Sequence, residues 1–323
     1  MRTRDSILSI LKAHGGTWVS GEYLSSELSV SRSAVWKHVS ILKRKGYSIE
    51  SAPKKGYRLR KVSHKPLPEE ISEGLDTRVF GKRDIIHLEE CDSTNRIARD
   101  LARKGVPEGA IVLAEKQTRG RGRMGREWFS PPEGGIYLTM VLRPVLSPSK
   151  APKLTLITGV ALAECLRETA GVDARIKWPN DVVLGGRKLA GILTELSAEI
   201  DAVNYVLVGA GVNVNTESFP LDLQEKATSL FIETGETFSR ASLVKNFLGR
   251  FEDYYFESQG KGFEEVIKRW NEMTETLGRK VKVESGSKTY AGEALAVDAD
   301  GALLLRDDGG ELHRIVSGDV ELI

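Results

Sequence analysis

The chain has 323 residues, which at about 150 residues per domain suggests two or three domains, with enough chain to bury a sizeable core. Lys and Arg number 47 against 45 Asp and Glu, so the net charge is only +2, yet residues 1–62 hold 13 basic and 4 acidic residues, a net of +9. The remaining 34 basic and 41 acidic residues give −7, and a basic head on a mildly acidic body points the head alone at nucleic acid. Two cysteines exclude a disulfide-stapled secreted domain and favour a reducing compartment. No apolar run approaches the ~18 residues of a membrane span. The N-terminus, with Arg2, Arg4, Asp5 and Lys12 around a short apolar stretch, lacks a small-residue cleavage site, so a signal peptide is not expected and the location is read as cytoplasmic.

In chain order, Ile7, Leu8, Ile10 and Leu11 repeat on one helical face that stops at Gly15-Gly16. Ser20 can cap a short second helix carrying Tyr23, Leu24 and Leu28. Ser31 can cap a third, with Val35, Val39 and Leu42 inward and Gly46 as its stop. This is helix-turn-helix spacing. Residues 47–50 and 57–60 then alternate like strands around Pro53-Lys54-Lys55-Gly56, a basic hairpin wing. Ser31, Arg32, Ser33, Trp36, Lys37 and His38 lie at the N-terminal half of the third helix, where a recognition helix meets base edges, and Lys54 and Lys55 suit phosphates. Lys61 to Pro68, with two prolines and no periodicity, reads as a linker. The expected division is a winged helix-turn-helix at 1–62, a mixed α/β domain at 65–277 and a small β unit at 278–323, an α+β multidomain chain.

In the body, a strand at 85–88 leads to Cys91-Asp92-Ser93-Thr94-Asn95 and a helical stripe, which puts Ser93 or Thr94 at a helix N-terminus. A strand at 111–115 then meets K-Q-T-R-G-R-G-R-M-G-R-E-W, before another strand at 136–142. Gly120, Gly122 and Gly125 match G-x-G-x-x-G, but Pro131-Pro132 and Gly134-Gly135 forbid the helix that a dinucleotide fingerprint requires, and no acidic residue falls in 134–150. No Walker loop occurs. What remains is a flexible loop with Arg119, Arg121, Arg123 and Arg126, whose guanidiniums repel one another until an anion joins them. A helix from Pro152 to Ala170 follows, then Lys177-Trp178-Pro179-Asn180-Asp181 and two apolar strands around Gly185-Gly186, with a further strand at 203–215, so the sheet is at least partly antiparallel. Lys177 and Lys188, on adjacent strands or at their mouths beside an arginine-rich loop, make a candidate site for an acid–phosphate reaction. Helices are expected at 240–256 and 263–277, and short strands from 279 form a barrel-like unit. The five histidines and two cysteines show no metal spacing.

Together S-T-N at 93–95, G-R-G-R-M-G-R at 120–126, K-W-P-N-D at 177–181, K-L-A-G-I-L at 188–193 and G-A-G-V-N at 209–213 resemble the bifunctional biotin–protein ligases that also repress the biotin operon. The resemblance spans essentially the whole chain. It implies a catalytic domain of the biotin/lipoate ligase type and an SH3-like C-terminal barrel. It implies condensation of biotin with ATP to biotinyl-5′-adenylate, with Mg2+ expected and no ligand for it assignable, and then acylation of a lysine on a biotin carboxyl carrier protein domain. It further implies operator DNA as a partner, a homodimer promoted by the adenylate, and no membrane. Arg123, Lys177 and Lys188 would be catalytic. Biotin would be held by Ser93, Thr94, Asn95, Gln117, Arg121, Gly122, Arg123, Trp128 and Lys188; ATP would meet Arg121, Arg123, Lys177, Asn180 and Asn213. Two features depart from the pattern or resist assignment. The chain ends Gly318-Asp319-Val320-Glu321-Leu322-Ile323 without the basic residue common after that motif, leaving Arg314 as a weak substitute, and the loop from Thr216 to Ser229, which should close over adenine, has no residue-level assignment. Rival readings are a biotin-sensing transcription factor without catalysis and a lipoate-type ligase; both lysines with a full arginine loop speak against the first, and the basic head with G-R-G-R-x-G against the second.

Overall fold

The structure is a computed structural model that describes residues 3–200 and 202–323. It divides into two compact units, Met1–Glu73 and Gly74–Ile323. The first contains α1 (Thr3–Ala13), α2 (Gly21–Glu27), α3 (Arg32–Arg44), the antiparallel pair β1 (Ser48–Ala52) and β2 (Gly56–Lys61), and a short α4 (Pro68–Ser72). Both expected caps form: Ser20 Oγ accepts from Tyr23 N and Ser31 Oγ from Ala34 N, each satisfying a helix-end donor. Ile7, Leu8 and Leu11 of α1 meet Leu24, Val35, Val39 and Leu42 in one core, with Ile49 and Leu59 contributed by the wing.

The stretch expected as a linker is partly structured. Leu67 is fully buried in the head core, and α4 places Ile71 inside as well. The helix is tied down by charge: Lys12 Nζ lies 2.7 Å from Glu70 Oε1, Lys45 Nζ 2.8 Å from Glu69 Oε1, and the Tyr47 hydroxyl donates to Glu70 over 2.6 Å. Local periodicity gave no hint of a five-residue helix whose partners lie more than 20 positions away.

The second unit is built on a seven-stranded sheet of β3 (Ile85–Leu88), β4 (Ile111–Ala114), β5 (Gly135–Leu142), β6 (Arg175–Lys177), β7 (Asp181–Leu184), β8 (Arg187–Ala198) and β9 (Val203–Asn213). Its order is β3-β4-β5-β9-β8-β7-β6, and every ladder is antiparallel except β3–β4. Alternation along the central strands sorts side chains to two faces. Ile136 and Leu138 of β5 and Ala210 and Val212 of β9 meet the long helices α6 (Lys153–Ala170) and α8 (Arg240–Lys261) through Leu162, Leu166, Leu243 and Phe247. On the other face Val141, Tyr205 and Leu207 pack under α5 (Thr94–Arg103), leaving the ends of the same strands uncovered. A short α7 (Leu230–Thr234) follows the sheet, and α9 (Glu264–Glu272) is shorter than the expected 263–277. The chain closes with five antiparallel strands, β10 (Lys280–Ser285), β11 (Lys288–Val297), β12 (Leu303–Asp307), β13 (Leu312–Ile315) and β14 (Asp319–Leu322), in the order β13-β12-β11-β10-β14.

Candidate active site and nucleic-acid interface

The uncovered part of the sheet forms the floor of a cavity of about 570 Å³. Its sequence logic is visible in G-A-G-V-N. A methyl group on Gly211 would stand 2.5 Å from the Trp128 ring, one on Gly191 2.9 Å from the same ring, and one on Gly209 2.3 Å from Asn95 Oδ1. Gly191 and Gly211 pair across β8 and β9, so the indole of Trp128 lies on a glycine patch, while Ala210 and Val212 turn to the helices. The Trp128 Nε1 donor is buried without a hydrogen-bond partner among the described residues.

At one end of the cavity Ser93 is the N-cap of α5, yet its side chain makes no capping bond, which leaves a buried hydroxyl free of that task. Next to it the Thr94 hydroxyl and amide both donate to Gln117 Oε1 (3.1 and 2.9 Å), and Gln117 Nε2 donates to Ser130 Oγ over 3.0 Å. Beneath them the buried Thr139 hydroxyl donates to Asn95 Oδ1 over 2.6 Å, and Asn95 Nδ2 reaches Glu195 at 2.8 Å. This small polar cluster, with donors and acceptors fixed by its own bonds, suits a compact neutral group that offers both.

The opposite end is cationic. Arg123 Nη1 donates to Asn180 Oδ1 (3.0 Å) and to the Gly318 carbonyl (3.3 Å), and Arg126 Nη2 lies 2.7 Å from Asp319 Oδ1. Burial pulls the Arg123 guanidinium below its ordinary value, opposed by the charges of Asp319 and Asp181, so it is a cation short of counter-charge. Lys188 Nζ stands 2.7 Å from Asp181 Oδ1 and 5.4 Å from the centre of the Trp128 ring. Asn213 Nδ2 donates to the Thr228 carbonyl over 3.0 Å, which ties the cavity floor to the loop after β9.

All twelve residues named above for biotin and ATP line this one cavity. Lys177 and Lys188 both face it, but on β6 and β8, with β7 between them rather than on adjacent strands. Arg121, Arg123 and Arg126 line the cavity and Arg119 does not. Arg314 does not substitute for a C-terminal cation: it is spent on Asp298 and Asp300 at 2.6 and 3.0 Å. Sequence reasoning missed Asp181 as a cavity group and Thr139 as the buried support of Asn95, and it missed that Asp319 and Val320 close the wall. Asp181, Asp319 and Val320 stood inside quoted motifs without a role; Thr139 carried no local signal. The tightest His–carboxylate cluster among the described residues, Asp307, Glu311 and His313, lines no part of the cavity.

Below the cavity a buried ion pair joins distant elements. Arg240 Nη2 lies 2.8 Å from Glu115 Oε2, Arg240 Nη1 donates to the Gly135 carbonyl, and His87 Nε2 is 2.9 Å from Glu115 Oε1. Burial pushes the Glu115 carboxyl up, but the His87 hydrogen bond and the Arg240 charge outweigh it and hold it below the usual carboxylate range.

In the head, Ser31, Arg32, Ser33, Trp36, Lys37, Lys54 and Lys55 are all exposed on α3 and the wing tip. His38 differs: it is half-buried, and its Nδ1 has no partner among the described residues. Arg32 is paired with Glu22 across the turn at 2.9 Å.

Family models match three stretches of the chain: an HTH domain over residues 3–58, the biotin/lipoate A/B protein ligase family over 88–213, and a biotin protein ligase C terminal domain over 276–323. The chain is 39% identical to the bifunctional ligase/repressor BirA of Bacillus subtilis (strain 168), over 99% of this chain and 98% of that protein. It is 33% identical to the protein of the same name from Escherichia coli (strain K12), over 91% and 90%. Among solved structures, the biotin protein ligase from Aquifex aeolicus in complex with biotin and ATP superposes with a TM-score of 0.65 at 30% identity, covering 74% of this chain and 98% of that one. Among the described residues, no helix is long and apolar enough to cross a membrane.

Proposed function

We propose the function from one premise: the chain belongs, over its full length, to the family of bifunctional biotin ligase/repressors. It is an ATP-dependent biotin–protein ligase and a DNA-binding repressor. The observation that carries the ligase half is the convergence of the polar Thr94–Gln117 cluster and the cationic Arg123–Lys188 end on a single glycine-floored cavity.

In this reading the ureido group of biotin takes the Ser93, Thr94 and Gln117 end, and its carboxylate points toward Lys177, Lys188 and Arg123. A carboxylate oxygen forms a bond to the α-phosphorus of ATP as the bond to pyrophosphate breaks, giving biotinyl-5′-adenylate. The three cations offset the charge that grows on the α-phosphate oxygens. Asn213 reads the adenine edge and Trp128 walls the pocket. Mg2+ bound with ATP would neutralise phosphate charge, and Asp181, the cavity carboxylate that is ion-paired with Lys188 at 2.7 Å, would be the oxygen ligand available to it. In the second step the amine of a carrier lysine attacks the acyl carbon and AMP leaves, which chiefly requires positioning because the adenylate is already activated. Biotin carboxyl carrier protein is the acceptor, and the site of action is the cytoplasm. The unit Met1–Glu73 carries DNA binding, and within Gly74–Ile323 the residues up to 277 carry catalysis and 278–323 close the cavity.

Incubation with biotin and ATP, followed by mass spectrometry, tests the ligase half: adenylate and pyrophosphate are expected, and their absence refutes it. The repressor half predicts an adenylate-promoted homodimer that covers two operator half-sites. Sedimentation equilibrium and operator binding at fixed salt, with and without adenylate, test it. Equal dimer constants and equal operator affinity in both states would leave a ligase with a basic appendage.

A further inference from the structure

The chain has five tryptophans, and four are accounted for by packing. Trp178 and Trp270 are buried, Trp128 lies on the glycines of the cavity floor, and Trp18 is covered by Arg58, whose guanidinium sits 4.6 Å from its ring centre. Trp36 is the exception. It is 63% exposed on α3, and among the described residues its side chain has no hydrogen bond, stacked ring or cation over its face. Its neighbours on the exposed side of the helix are Ser33 and Lys37, and the wing adds Lys54 and Lys55. A face made of hydroxyls and ammonium groups suits phosphates and polar base edges; the indole adds one Nε1–H donor and, unlike its neighbours, a broad apolar ring.

Most of the surface of an exposed indole is apolar, and that part gains from binding where it meets apolar surface. In the major groove the apolar group on the base edges is the C5-methyl of thymine. We propose that Trp36 is a specificity-determining residue of the repressor, reading thymine methyl groups in the operator while Lys37, Lys54 and Lys55 hold the phosphates. This rests on the assignment of the head as a DNA-binding unit. It separates two kinds of readout on one helix: cations that bind any duplex, and one ring that tells thymine from other bases.

The test uses the full chain with biotin and ATP present, and a duplex enriched by that chain from a random pool. The same duplex is then made with deoxyuridine in place of thymidine, which removes methyl groups and leaves base-pair hydrogen bonding unchanged. Wild type should bind the uridine duplex about four-fold more weakly for each methyl contacted, the worth of one buried methyl at about 0.8 kcal/mol. Trp36→Ala should bind both duplexes equally. Its salt slope on a duplex of dG and dC only should equal that of wild type, because its cations are intact. Trp36→Ala sits at an exposed helical position where alanine is favoured, so the fold is retained. Wild type indifferent to uridine, as expected if the ring rests on deoxyribose, overturns the proposal; so does an equal methyl dependence in Trp36→Ala. Failure to enrich any duplex overturns the DNA-binding assignment itself, and the proposal with it.

Discussion

Replacing Gly211 by alanine tests whether the cavity floor is glycine for the reason given. The added methyl would stand 2.5 Å from two atoms of the Trp128 ring, against an ordinary contact of 3.4 Å or more, so the ring must retreat by about 0.9 Å. The backbone of Trp128 resists this. Its N–H donates to the Gly120 carbonyl over 2.9 Å and its own carbonyl accepts from Ser130 Oγ over 3.0 Å. Gly211 lies in the extended backbone of β9, so alanine adds no backbone strain, and the consequence is confined to the cavity. Overpacking of this size costs about 1–3 kcal/mol. Either the indole swings into ligand space or the methyl takes that space itself. Biotin or ATP binding should therefore weaken by about 5- to 150-fold, since ~1.36 kcal/mol is a factor of ten. Titration calorimetry with biotin and ATP reads the affinities, and hydrogen exchange across β8 and β9 confirms that the sheet is intact. Affinities for both ligands within two-fold of wild type, with an unchanged sheet, would show that the patch is not part of the binding surface. Gly209→Ala is the companion variant: its methyl collides with Asn95 Oδ1 at 2.3 Å and should disturb biotin more than ATP.

Lys177→Ala and Lys188→Ala should each slow adenylate formation by ~10²–10³, far more than they weaken biotin binding, because the amines meet charge that develops in the transition state. Single-turnover adenylation checks this, and wild-type rates in both variants remove the lysines from the mechanism. Glu115→Ala should destabilise the larger unit by about 3–5 kcal/mol, because it strands the Arg240 charge in the interior. The depressed carboxyl of Glu115 also sets a pH dependence. Its stabilisation is complete above the ordinary carboxylate value of 4.5 and is lost as pH falls through the lowered value. Urea unfolding followed across pH 3 to 7 should show that acid limb in wild type and a smaller one in Glu115→Gln.

Local chemistry was the legible part of this chain. Ser20 and Ser31 act within three residues of themselves, the wing turn is announced by Pro53 to Gly56, and G-A-G-V-N alternates with the strand that carries it. The arginine–glycine loop declared an anion site because its charges are contiguous. Partners chosen by tertiary folding were silent. Asp319 meets Arg126 across 193 positions, Arg240 meets Glu115 across 125, and no periodicity links them. The helix that follows the expected linker at 61–68 went unread because the basic groups that neutralise its Glu69 and Glu70, Lys45 and Lys12, belong to other elements. Arg314 misled for the same reason: a basic residue near the C-terminus suggests a phosphate contact until Asp298 and Asp300 appear beside it.

The charges of the cavity also bear on how a reactive intermediate is kept or given up. Within the protein itself the cationic end is partly neutralised, Lys188 by Asp181 and Arg126 by Asp319, with Arg123 on Asn180 and the Gly318 carbonyl. On the proposed function a phosphate therefore does not meet bare cations. It exchanges with carboxylates, and only the difference between the two arrangements appears as affinity. Such a site can bind its adenylate firmly without holding it irreversibly. Because Asp319 lies on β14 and Arg126 in the loop, ligand exchange at one ion pair changes the tie between loop and C-terminal sheet. On the proposed function, that pair is where a phosphate and β14 would compete for the same guanidinium.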